Sequence, residues 1–210
     1  MIRFLDVMLS LAGLVLAAPV MGLLTLVCAA ETGSPIFAQT RLGKDRRPFT
    51  LYKFRTMGVG TASVATHLAD RNAVTRSGRL LRATKLDELP QLFNVLRGDM
   101  SLVGPRPGLA NQTALTAARQ SRGAFAVRPG ITGLAQIRGV DMSTPELLAD
   151  LDAAMIASLG LRLYLRLLVQ TLLGRGRGDA IAKAAPRRNV HQSVETSASA
   201  SAPVRGERRR

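Results

Sequence analysis

VMLSLAGLVLAAPVMGLLTLVCAA, residues 7 to 30, carries no charged side chain. As an α-helix it would extend about 36 Å at 1.5 Å per residue, enough to cross a hydrocarbon core of about 30 Å. Pro19 complicates a straight span. A proline inside a helix removes one backbone hydrogen bond, and its ring clashes with the carbonyl four residues earlier, here that of Val15. With Gly13 and Gly22 on either side, the sequence predicts a kink at Pro19. Arg3 lies on one flank of the run and Arg41, Lys44, Arg46 and Arg47 on the other. Basic residues favour the cytoplasmic side of a membrane segment. A straight span would put Arg3 outside, whereas a re-entrant hairpin returns both basic flanks to one face. The hairpin is the preferred reading, its cost being a freed carbonyl at depth. A cleaved signal peptide is a poorer fit, because the run is too long and Val27 is ill suited to precede a lipoprotein cysteine.

Outward from this run, the composition narrows the partners. The 210 residues carry a formal net charge of +15, which calls for an anionic partner. Tryptophan is absent and aromatics make up only 4%, so a stacking surface for nucleic acid is hard to build and none is expected as a partner. Lipid headgroups and phosphorylated substrates fit better. The single cysteine, Cys28, excludes an internal disulfide framework, and the sequence offers no Cys-His clustering for a transition metal. A hard cation held by oxygens stays open.

Beyond the anchor, SPIFAQTRLGKDRRPFTLYKFRTM alternates apolar and polar residues about Gly43-Lys44-Asp45, as two short strands or a hairpin would. Met57 to Asn72 reads as a mobile loop. Leu80, Leu81, Leu89, Leu92, Phe93, Val95 and Leu96 fall at helical spacings, with a stop at Gly98. Ser143 and Glu146 form a capping-box pattern with Pro145 in the first turn, so a helix starts there and runs to about Gly160. Arg162, Arg166 and Gln170 then share one face of a leucine-rich segment, the distribution of an in-plane interfacial helix. From Gly174 the chain is small, polar and basic, which predicts a disordered tail suited to an anionic membrane surface. The fold class is α/β and predominantly helical, with residues 1–32 as re-entrant anchor, 33–173 as catalytic domain including the interfacial helix 161–173, and 174–210 as tail.

Three segments concentrate functional residue types: LYKFRTM (51 to 57), TKLDELPQLFNVLRGDMSLVGPRP (84 to 107) and VRPGITGLAQIRG (127 to 139). Asp87 and Glu88 stand side by side at a helix entry, where the dipole and free amides favour carboxylates and bound phosphate. A carboxylate there can attack phosphorus or ligate magnesium. Taken alone, the pair reads as a helix cap, with Thr84 and Asp87 completing a capping box. Its surroundings shift the reading. Gly104-Pro105-Arg106-Pro107 and Arg128-Pro129-Gly130 present arginines on stiff backbone, as bidentate phosphate binding requires. Lys53 and Arg55, alternating with Tyr52 and Phe54, add charge from one face of a strand.

These three segments, in this order and after an N-terminal apolar helix, resemble the bacterial sugar transferase family, the small monotopic phosphoglycosyl transferases. The resemblance covers Arg3 to about Leu173. It implies an enzyme at the cytoplasmic face of the bacterial inner membrane, initiating exopolysaccharide or glycoconjugate synthesis. By similarity, Asp87 attacks the β-phosphate of a UDP-sugar, releasing UMP, and polyprenol (undecaprenyl) phosphate takes the sugar-1-phosphate from the aspartate. Glu88 assists with Mg2+, which Asp87 and Glu88 would both ligate. Lys53, Arg106, Arg128 and Asp152 match motif positions expected to serve substrate or phosphate binding. The chain departs from the family pattern at Ala18-Pro19, where Ser-Pro is common, at Leu134, where an aromatic is common, and at Ala153-Ala154, where two tyrosines are common. Those departures bear on the sugar and nucleotide pocket more than on the reaction. Two rivals make different predictions: transfer of a sugar without its phosphate yields UDP, and a basic membrane-tethered scaffold binding anionic lipid or nucleic acid yields neither nucleotide.

Overall fold

The computed structural model describes residues 1–61 and 73–175. Most of the predicted loop 57–72 and nearly all of the predicted tail therefore lie outside the described residues. The chain is helical with two small sheets, in the class the sequence indicates.

The apolar run lies within one helix, α1 (Ile2–Thr32), with Pro19 inside it and Gly33 in the left-handed conformation closing it. Its buried positions fall on one stripe, Asp6, Ser10, Leu24 and Cys28, at the three- and four-residue spacings that define a helix face. The two ends of this stripe are anchored separately. Ile2 and Leu5 pack against the main core of Leu51, Val95, Met100, Val103, Met155, Tyr164 and Leu167. Leu24 and Cys28 join Phe54 and Leu81 in a second cluster, with Met21 beside them. Between these ends Val15, Leu16, Ala18, Pro19 and Val20 are exposed.

Both ends of α1 thus meet the same body, and the polar contacts agree. Arg3 donates through Nη1 to the Val95 carbonyl at 2.7 Å and through Nη2 to that of Leu96 at 3.0 Å. A cation there satisfies carbonyls that a helix end leaves open. Asp6 Oδ1 accepts from Ser101 Oγ (2.9 Å), the Leu102 amide (2.8 Å) and Tyr164 Oη (2.8 Å). Burial and this carboxylate push the Tyr164 hydroxyl well above its ordinary range.

The predicted hairpin forms from β1 (Ile36–Leu42) and β2 (Pro48–Phe54), antiparallel with Phe37 opposite Lys53 and Ala38 opposite Tyr52. The turn residues in left-handed conformation are Asp45 and Arg46 rather than Gly43. Asn94 extends this sheet edge, accepting from the Tyr52 amide and donating to the Thr50 carbonyl.

The apolar periodicity from Leu80 to Leu96 does not become one helix. It splits into α2 (Arg76–Thr84) and α3 (Gln91–Arg97), separated by a 3-10 turn at Leu86–Glu88. Thr84 donates its hydroxyl back to the Leu80 and Leu81 carbonyls, so it caps nothing downstream. Lys85 leaves the helix at φ 61, and Pro90 has no N–H with which to continue it. The capping box expected at Thr84 and Asp87 is therefore absent. The leucine spacing survives because Leu86 and Leu89 still pack on the second cluster.

After α3, β3 (Ser101–Val103) pairs in parallel with β4 (Gly130–Thr132), Ser101 opposite Gly130 and Val103 opposite Thr132. Between them lies α4 (Thr113–Ser121), and after β4 come α5 (Leu134–Ile137), α6 (Pro145–Ala157) and α7 (Leu161–Leu172). Helix α6 starts at Pro145 as expected, but without the capping box. Ser143 turns to Asp141, and Glu146 pairs with Arg122 instead. Helix α7 buries Tyr164 and Leu167 and exposes Leu165, Val169 and Leu172, with Arg162 and Arg166 also exposed.

Candidate active site

The 3-10 turn that breaks the α2–α3 segment is what presents Asp87 and Glu88. Leu86 and Leu89 on either side anchor it in the apolar cluster shared with α1. Both carboxylates are nearly buried, at 8% and 6% exposure, which makes their ionisation depend on what stands opposite them.

Glu88 is pinned. Its Oε1 receives Lys53 Nζ from β2 at 3.1 Å and Arg106 Nη2 from the loop after β3 at 2.8 Å. Burial opposes its ionisation, but the Arg106 and Lys53 charges and the Arg106 hydrogen bond outweigh that and hold its carboxyl well below the usual carboxylate range. Asp87 is treated differently. It makes no hydrogen bond or ion pair with the described residues. Burial, with Glu88 adding its charge, pushes its carboxyl up to about 6 against the pull of Lys53, Arg106 and Arg82. Two adjacent carboxylates thus differ: one is locked as an anion between two cations, the other is raised to about 6. Divergent titration of neighbouring groups is a mark of acid–base or nucleophilic sites.

The loop bearing Arg106 is built by backbone on backbone. A Cβ on Gly104 would lie 2.5 Å from the Arg128 carbonyl and 2.8 Å from the Gly130 amide, and one on Gly133 would lie 2.5 Å from the Gly104 carbonyl. Gly104 N donates to Thr132 O, and Gly130 N to Pro105 O, each at 2.9 Å. The two motifs read as separate arginine turns are therefore one interlocked unit.

That unit does not aim both arginines at the carboxylates. Arg106 reaches Glu88, but Arg128 is exposed and donates Nε to the Gly98 carbonyl at 2.7 Å, past the end of α3 remote from Asp87. In this structure Arg128 caps the end of α3 and does not meet the carboxylate pair. Arg55 likewise leaves the face of Lys53: it donates to Ser34 O at 2.9 Å and lies over the Phe37 ring. Asp152, 1% exposed, does not touch the pair either. It binds Arg119 of α4, whose Nη2 and Nε lie 2.7 and 2.9 Å from its Oδ2. Burial raises the Asp152 carboxyl, opposed by Arg119.

Sequence reasoning missed three residues at this site. Arg82 acts on Asp87 and holds Thr56 Oγ1 at 2.8 Å; its position one turn before the break was a usable signal. Arg119 and Arg41 had none, since each is an ordinary arginine until the fold sets it against loop 104–108. Among the described residues no three His, Cys, Asp or Glu side chains converge to cage a metal. Two adjacent carboxylates, one with an oxygen that no described residue engages, do fit Mg2+ as it is usually held, with substrate phosphate and water completing the shell.

The family model described as bacterial sugar transferase matches residues 1–176. Among curated relatives, the uncharacterized sugar transferase EpsL of Bacillus subtilis (strain 168) is 44% identical over 147 residues, 70% of this chain and 72% of that one. A UDP-glucose:undecaprenyl-phosphate glucose-1-phosphate transferase of Caulobacter vibrioides is 42% identical over 162 residues, 71% of this chain and 61% of that one. A Klebsiella pneumoniae protein of the same name is 42% identical over 144 residues, 65% of this chain but only 30% of its own length. The scaffold reading gains no support from any of these. With its match extending from α1 through α7, the chain belongs to the bacterial sugar transferase family.

Proposed function

We propose that this protein transfers a sugar-1-phosphate from a UDP-sugar to undecaprenyl phosphate through an aspartyl-phosphosugar intermediate on Asp87. The single observation that carries this reading is the contrast between Glu88, neutralised by Lys53 and Arg106, and Asp87, buried, unpaired among the described residues and raised to about 6. A Asp87 Oδ attacks the β-phosphorus. The bond from that phosphorus to the bridging oxygen breaks, and UMP leaves with the bond's electron pair. The acceptor phosphate then attacks the same phosphorus and frees Asp87. Lys53, Arg106 and Arg82 outnumber the two carboxylates, so the cluster suits an anionic diphosphate. Mg2+ bound beside the pair would screen the diphosphate from the approaching carboxylate.

Residues 1–32 serve as a re-entrant anchor in the inner membrane, with the catalytic residues at the cytoplasmic face. Support comes from the two ends of α1 packing on one body while Val15–Val20 protrude apolar and largely exposed. The exposed leucines of α7 extend that face as an interfacial helix.

Incubating the membrane-reconstituted protein with a radiolabelled UDP-sugar and undecaprenyl phosphate tests the reaction. UMP is the expected nucleotide, and Asp87→Asn should reduce its release by at least about a thousandfold. Release of UDP would indicate sugar transfer without phosphate, and full activity of Asp87→Asn would remove the nucleophile.

A further inference from the structure

Loop 105–108 has an unusual support. Its four successive carbonyls each accept a hydrogen bond from a different donor. Pro105 O takes the Gly130 amide (2.9 Å), Arg106 O takes Arg119 Nη1 (2.8 Å), Pro107 O takes Arg41 Nη1 (3.2 Å) and Gly108 O takes the Leu42 amide (3.0 Å). Two of these donors are buried guanidiniums. Arg119 is 3% exposed, and its charge is matched by Asp152 at 1%. A buried ion pair is weak evidence for stability, because desolvating both charges offsets their attraction. Its geometry is more telling. Nε donates to Asp152 Oδ2 at 2.9 Å with Nη2 2.7 Å from the same oxygen, and Nη1 is directed at the one residue of the loop whose side chain enters the carboxylate cluster.

We infer that Arg119, oriented by Asp152, is a positioning residue that sets the reach of Arg106 toward Glu88 and the substrate phosphate. Lysine cannot replace it, since one ammonium on a flexible stem lacks the rigid fork that holds Asp152 and a carbonyl together. The inference rests on the phosphate-holding role given to Arg106 above.

The test uses the full chain in membranes and exploits the fact that Arg119 binds the main chain of residue 106, which Arg106→Ala retains. UMP release and thermal unfolding are measured for Arg119→Lys, Arg106→Ala and the double variant. Arg119→Lys should lower kcat/KM by between ~10- and ~100-fold in the native background and by less than about twofold beside Arg106→Ala. Its loss of Tm should be the same in both, because the carbonyl persists. Asp152→Asn, which keeps the shape and loosens Arg119, should show the same background dependence if Arg119→Lys folds poorly. An equal fold-loss of activity in both backgrounds makes Arg119 merely structural and overturns the inference. Native activity in Arg106→Ala overturns the role of Arg106 and the inference with it, and is told apart from the first failure by the single variant alone.

Discussion

Replacing Asp87 with asparagine should abolish activity and make the protein more stable. The side chain keeps its shape and loses only its charge. In the folded protein the Asp87 carboxyl is raised from the ordinary 3.8 to about 6, first by burial and then by the neighbouring Glu88 charge, against Lys53, Arg106 and Arg82. The fold therefore binds this proton more tightly than the unfolded chain does, and an ionised Asp87 costs stability at neutral pH. At 1.36 kcal/mol per pH unit the cost is on the order of 3 kcal/mol. It is present in full above about pH 6 and disappears as pH falls toward 3.8 and the aspartate protonates in both states. Asparagine bypasses it at every pH. Thermal unfolding of the two proteins in detergent, at pH 8 and at pH 4, reads this directly. The variant should unfold at higher temperature at pH 8, and the gap should close at pH 4. A variant no more stable at pH 8, or a gap unchanged at pH 4, would falsify the account of Asp87 as a strained anion held for chemistry.

The same titration should appear in the rate. As attack needs the carboxylate, kcat/KM should fall about tenfold per unit below about pH 6, and Lys53→Met should move that limb to higher pH by leaving burial less opposed. A limb unmoved or shifted toward acid would count against it. Asp6→Ala should cost roughly 3–5 kcal/mol of stability by stranding Ser101 Oγ, the Leu102 amide and Tyr164 Oη, whereas Asp6→Asn, which keeps an acceptor, should cost clearly less. Equal unfolding midpoints for the two variants would show that the acceptor oxygen is not what matters.

The apolar helix α1, the hairpin, α6 and α7 were legible because each rests on local pattern: an uncharged run, alternation around a turn, a proline at a helix start, a leucine face. The carboxylate pair could be singled out from its motifs, but its geometry could not. Helical spacing of leucines suggested a continuous segment, and nothing in the sequence showed that Lys85 would turn left-handed and leave Asp87 and Glu88 in a 3-10 turn. The dense motifs singled out Lys53, Arg106 and Arg128 alike, but a rigid turn says that an arginine is held without saying where it points: Lys53 and Arg106 meet Glu88, and Arg128 meets the Gly98 carbonyl. Arg3 looked like a topological charge and is a cap on α3. Arg119 depends wholly on a partner 33 positions away, beyond the reach of any local pattern.

Asp6 and Tyr164 are 158 positions apart in the chain. Helix α1 precedes α7 in the chain, so during synthesis the carboxylate emerges well before the hydroxyl that shares it. At about 5–20 residues per second that is a wait of roughly 8 to 30 s. For the first part of it, until Ser101 and Leu102 follow, none of the described donors to Asp6 has been made, and water must solvate the carboxylate. A charge at the root of an apolar helix favours water over any apolar surroundings, so the Asp6 end of α1 stays hydrated until β3 is made. Closure at Tyr164 then ties the first described helix to the last.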